Sequence, residues 1–126
     1  MEIKTKAIVA LTAGEDLSAK EGFFVKLYAG KAILVTAATD KPFGVIIQGA
    51  DDGEMVSVAV CGGNVGTLHV AAGGIIAAGA YCQLEAEGDV ITDSGAGARV
   101  VCAIALESAV DGQLMEALAI TPVTYA

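Results

Sequence analysis

Apolar residues run along this chain in bursts of about five, separated by Gly, Asp or Pro. The clearest are Phe23–Leu27, Ala32–Thr36, Gly44–Gln48 and Met55–Val60, and the second half repeats the rhythm. Short apolar runs between regular turn signals predict an all-β fold, a small barrel or a sandwich. Asp52-Gly53 and Asp111-Gly112 each stand between two such runs. Both are hairpin dipeptides, and they predict type I′ turns with positive φ at both central positions.

The halves share more than rhythm. Laid over residues 73–119, residues 14–60 place Gly14, Leu17 and Ala19 on Gly73, Ile76 and Ala78. After a two-residue deletion, Phe24, Val25 and Leu27 fall on Tyr81, Cys82 and Leu84; with one residue restored, Gly30 and Ile33 fall on Gly88 and Ile91. With the other restored, Gln48, Ala50, Asp52 and Gly53 fall on Glu107, Ala109, Asp111 and Gly112. Two tandem repeats of about 58 residues are too few for an open solenoid with capped ends. They predict a single β domain over 13–126, with halves 13–70 and 71–120 and a tail 121–126. Residues 1–12 belong to neither half and predict an extended N-terminal arm.

Two features conflict with this reading. Residues 112–120 contain strong helix formers, and alignment with Val56–Val60 decides for strand. The apolar phase also drifts there: Val56, Val58 and Val60 share one face, whereas Leu114, Leu118 and Ile120 share one with Glu116. A β-bulge or an edge position would absorb such a slip.

Composition adds a constraint. The chain has 126 residues, 55% of them apolar but with three Phe, three Tyr and no Trp. Small side chains bury little area each, at about 25 cal/mol per Å², so partners are expected to supply burial. Sixteen Gly argue against a helical bundle. A formal charge of −8 repels nucleic acid and anionic lipid, so neither is an expected partner. The N-terminus lacks a signal-peptide layout and no run is long enough to span a bilayer, which predicts synthesis in a cytoplasm.

Chemistry is sparse. His69 is the only histidine, and no serine or cysteine lies in a recognisable nucleophile turn; a strand histidine is the better reading. Cys61, Cys82 and Cys102 lack the paired spacing of zinc knuckles and read as small buried hydrophobes. Gly95-Ala96-Gly97 lacks the third Gly of a dinucleotide fingerprint and precedes a strand-like run. Cys61-Gly62-Gly63-Asn64-Val65-Gly66 lacks the Lys-Ser/Thr of a phosphate loop and reads as the handover between halves. The acids Asp51, Asp52 and Glu54 sit at a turn, and their copies Val110, Asp111 and Gln113 keep only the Asp-Gly, so the repeated feature is geometry. No catalytic residue, metal site or cofactor is expected.

Ala13-Gly14-Glu15-Asp16-Leu17-Ser18-Ala19-Lys20-Glu21-Gly22-Phe23-Phe24-Val25, then Pro42-Phe43-Gly44-Val45-Ile46 and Gly53-Glu54-Met55-Val56, resembles the capsid decoration or cement proteins of tailed bacteriophages. The second half continues the likeness from Ala72-Gly73 to Asp111-Gly112. The resemblance implies a β-tulip-like homotrimer on the outer surface of an expanded head, at threefold or quasi-threefold sites. There it would bridge major capsid protein subunits. The capsid-binding role would fall on Ile3, Lys4, Thr5, Lys6, Ile8 and Val9 of the arm, and no catalytic residue carries over. Rival readings are a β-sandwich carbohydrate-binding or adhesion module, and a small enzyme or carrier domain on a barrel.

Overall fold

The computed structural model describes residues 7–63 and 66–126. These form ten strands: β1 (Ile8–Thr12), β2 (Phe24–Tyr28), β3 (Lys31–Leu34), β4 (Gly44–Gln48), β5 (Met55–Val60), β6 (Leu68–Ala71), β7 (Tyr81–Leu84), β8 (Val90–Thr92), β9 (Arg99–Ala105) and β10 (Leu114–Tyr125). They make two five-stranded antiparallel sheets ordered β1-β5-β4-β2-β3 and β6-β10-β9-β7-β8. Adding five to each label of the first sheet gives the second, so the repeat is one of topology.

Register confirms the sequence alignment residue by residue. Phe24 opposes Val45 as Tyr81 opposes Ile104, and Lys26 opposes Ile33 as Gln83 opposes Ile91. The turns repeat too: Leu17 N–H donates to Ala50 C=O at 2.8 Å, as Ile76 N–H does to Ala109 C=O at 2.9 Å. Parallel bridges Ala13–Ala32 and Ala72–Val90 bring the outer strands of each sheet together at one end. Each sheet therefore curls on itself, which shields part of its edges.

Each curl encloses equivalent core positions: Leu17/Ile76, Val25/Cys82, Ala32/Val90, Ile46/Ala105, Val56/Met115 and Val58/Ala117. Ala32→Val90 and Val56→Met115 add volume where Ile46→Ala105 and Val58→Ala117 remove it. Total volume is roughly kept, the kind of exchange cores tolerate best.

The halves join through residues 22–24 and 35 of the first. Phe24, Val35 and Val45 point out of their own curl and into the core cluster of the second half, beside Leu84 and Cys102. Phe24 N–H donates to Gly88 C=O at 2.8 Å, Glu87 N–H to Val35 C=O at 2.9 Å, and Ala71 N–H to Gly22 C=O at 2.9 Å. Glu87 is the residue by which the second copy's β7–β8 loop exceeds the first copy's β2–β3 loop. It holds φ at 85°, a conformation costly for a side-chain-bearing residue.

Four expectations need correction. The arm is not free over residues 8–12: Ile8–Thr12 pair with Ala59–Met55 as β1, the counterpart of β6, so the first half begins there. Ile3, Lys4, Thr5 and Lys6 lie outside the described residues. The tail is strand as well, since β10 continues to Tyr125 and Val123 opposes Val101.

The phase does not drift either. Met115 and Ala117 are buried like Val56 and Val58, while Leu114 and Leu118 face outward. The bulge in β10 falls later, between Ala119 and Val123. Bulky residues on an exposed face had hidden the register.

The type I′ turn lies elsewhere. Ala29 and Gly30 have φ of 52° and 78° and close a two-residue β2–β3 hairpin. At Asp52-Gly53 and Asp111-Gly112 only the glycines are positive, at 86° and 88°, the type II pattern. These turns do not close tight hairpins. Gly53 N–H donates to Ala13 C=O at 2.9 Å and Gly112 N–H to Ala72 C=O at 2.8 Å, pinning each loop to the end of the outer strand.

Neither glycine has any atom within 4 Å of where a Cβ would stand, so substitution there probes backbone conformation alone. Gly53→Val and Gly112→Val should each cost about 1–2 kcal/mol or more, lowering Tm by several degrees, with Gly53→Asn milder. Unchanged melting in both valine variants would contradict the turn assignment.

Candidate functional site

The chemistry-bearing side chains do not converge. His69 is exposed on β6, opposite Glu116 on β10, and lines a shallow groove of about 360 Å³ with Glu21, Thr67 and Leu68. Burial pushes the Cys61 thiol up to about 12 and Cys82 to about 11, and raises Cys102 further. Thiols held protonated are poor nucleophiles and poor metal ligands. Gly95 and Gly97 sit in an exposed loop that leads into strand β9, not into a helix. That loop is tied by Asp93, which accepts from Arg99 Nε at 2.5 Å and Gly95 N–H at 3.1 Å. Among the described residues no three His, Cys, Asp or Glu side chains cluster as metal ligands, and no helix is long and apolar enough to cross a membrane.

What the surface offers is apolar area and strand edge. β1 pairs on one side only, and Ile8 is 43% exposed while Val9 packs against the first core. At one end of the second half stand Ile75, 85% exposed, and Val110. Their equivalents in the first half are Asp16 and Asp51. Two loop tips of the same construction thus differ in character, one acidic and one apolar. Tyr81, Leu27 and Tyr28 are exposed as well. The Asp/Val exchange was visible in the aligned sequence; the exposure of Tyr81 was not, because its partner Phe24 is wholly buried.

Two pairs of carboxylates are shifted in opposite senses. Glu85 and Asp89 lie side by side over Gly73, where a Cβ would collide with both. Burial, then the neighbouring negative charges, hold Glu85 above its ordinary 4.5 and Asp89 above 3.8. Asp40 is drawn down to about 2 by Lys26 at 2.8 Å and by the Thr36 N–H. Arg99 lowers Asp93 in the same sense.

A raised carboxyl favours the folded state while protonated, and that contribution is lost as pH climbs through its folded value. A lowered one stabilises above 3.8 and is lost as pH falls toward 2. Stability from these groups should therefore fall as pH drops from 3.8 toward 2, and decline again above 4.5 as Glu85 and Asp89 ionise. Glu85→Gln should flatten the neutral-side decline in a series of thermal melts. A maximum above pH 7 would contradict these assignments.

No protein-family profile and no curated protein sequence matches the chain. Among solved structures it is similar to the N base of head fiber gp8.5 of bacteriophage phi29. The TM-score is 0.64 and the identity 18%, covering 94% of this chain and 98% of the other. At that identity the likeness establishes a shared fold. It spans both sheets and leaves almost nothing of either chain over.

Proposed function

We propose that this chain is a structural decoration protein of a tailed-phage head. It binds as a homotrimer to the exterior of the expanded capsid, at threefold or quasi-threefold sites, and stabilises the shell by bridging major capsid protein subunits. The observation that carries this reading is the likeness, over nearly all of both chains, to the base of a phage head fiber. The reading is of a non-enzymatic protein without a cofactor, and its partners are proteins.

Physical features support it. A one-sided edge strand is a template for strand addition, and β1 offers one, preceded by Lys4 and Lys6 in an otherwise acidic chain. The apolar tip at Ile75 and Val110 supplies a second contact surface in a protein short of buried bulk. Negative charge over the remainder discourages DNA from adhering to the decorated surface.

The test is co-sedimentation with expanded heads carrying no decoration protein. The intact chain should bind and raise the temperature at which heads rupture. Deleting residues 1–6 should abolish binding without changing melting or chain association. The cut must stop there, because residues 8–12 are β1 and their loss removes a strand. Full binding by the truncated chain would remove the arm from the account, and failure of the intact chain to bind any such head would remove the decoration role.

A further inference from the structure

The contact between the two halves is not reciprocal, and that leaves two surfaces open. In the first half, Gly22 and Phe24 are buried against the second; their equivalents Gly79 and Tyr81 are exposed. In the second half, Leu84 and Gly88 are buried where the first half docks; their equivalents Leu27 and Gly30 are exposed. The space around the glycines tells the same story. A Cβ on Gly88 would meet Phe24 C=O at 2.5 Å, and one on Gly22 would meet Leu114 Cδ2 at 2.5 Å, whereas Gly30 and Gly79 have no atom within 4 Å. Phe24 N–H reaches Gly88 C=O, but no loop or inter-half bond equivalent to it joins Tyr81 to Gly30.

We infer that a second copy of this chain completes the pattern. The Tyr81 surface of one chain packs head to tail on the β2–β3 hairpin surface of the next, around Leu27 and Gly30, as Phe24 packs on Leu84 and Gly88 within the chain. The occupant is chosen by the chain itself, because the same surface, one repeat away, is already covered by the other half. The outer contact is the looser of the two. The two-residue Ala29-Gly30 turn lacks an equivalent of Glu87, whose N–H ties the inner junction, and Asp93, the equivalent of Val35, is engaged with Arg99. A heterologous contact of this kind closes into a ring when its rotation permits, and each added chain contributes two repeats to that ring.

The inference rests on the self-association proposed above and is tested without capsids. Tyr81→Asp removes one surface and Leu27→Asp the other, both at exposed positions, so each variant should keep its β spectrum and melt cooperatively. Light scattering should give a multiple of the chain mass for the unmodified protein and single-chain mass for each variant. Mixed in equal amounts, the two variants should form a complex of two chains, since one intact surface remains on each.

A single-chain mass for the unmodified protein, wild-type assembly by either variant, or a mixture that stays at single-chain mass would overturn the head-to-tail contact. Head binding by an unmodified protein that remains a single chain would overturn this contact and leave decoration standing. Self-association with no head binding would do the reverse.

Discussion

A curled sheet of five short strands closes over one face and leaves the other to be covered. In a chain this poor in large side chains, covering that second face is the constraint on which the rest depends. Here the first half answers it by sending Phe24, Val35 and Val45 outward into the core of the second. Phe24 is the largest fully buried side chain, and residues of its size carry several kcal/mol when fully packed. The backbone follows, with N–H groups at Phe24, Ala71 and Glu87 bonded across the junction. Burial and hydrogen bonding thus converge on one seam, and strain at Glu87 is accepted to make it.

The seam also explains how two copies of one plan came to look different outside. Inside each curl the paired positions trade volume and keep the fold. Outside, the copies diverge because their surroundings do: Phe24 is enclosed where Tyr81 is open, and Asp16 and Asp51 face water where Ile75 and Val110 present apolar area. Four of the exposed apolar residues fall at two such places. Leu27 and Tyr81 lie on surfaces equivalent to the inner seam, and Ile75 and Val110 on one loop tip.

The all-β class, the two repeats and three of the five first-half strands were legible to within a residue, because Gly and Asp punctuate the runs at equivalent places. The offsets read from the sequence are those of the hydrogen-bond register. What misled was local. Residues 8–12 carry no turn signal and lack the glycines by which the halves align, so a strand looked like an arm. Leu114 and Leu118 are bulky but outward, so the apolar phase looked shifted against Val56 and Val58, whose true counterparts are the buried Met115 and Ala117. Asp-Gly is the usual signature of a type I′ hairpin, yet Ala29-Gly30 holds that turn, because a two-residue β2–β3 connection demands it regardless of the intrinsic cost to Ala29. Which aromatic of the pair Phe24/Tyr81 would be buried depends on the asymmetry of the seam, and nothing local to either residue records it.

The seam binds the two halves into one cooperative unit, while the equivalent surfaces remain open within a chain. Native-state amide hydrogen exchange on a single-chain variant measures this directly. The N–H groups of Phe24, Ala71 and Glu87 should exchange only through global unfolding, and that of Tyr81 should exchange far faster. Exchange of the three seam amides through a low-energy opening, with both sheets still protected, would show the halves to be separate units and contradict the account.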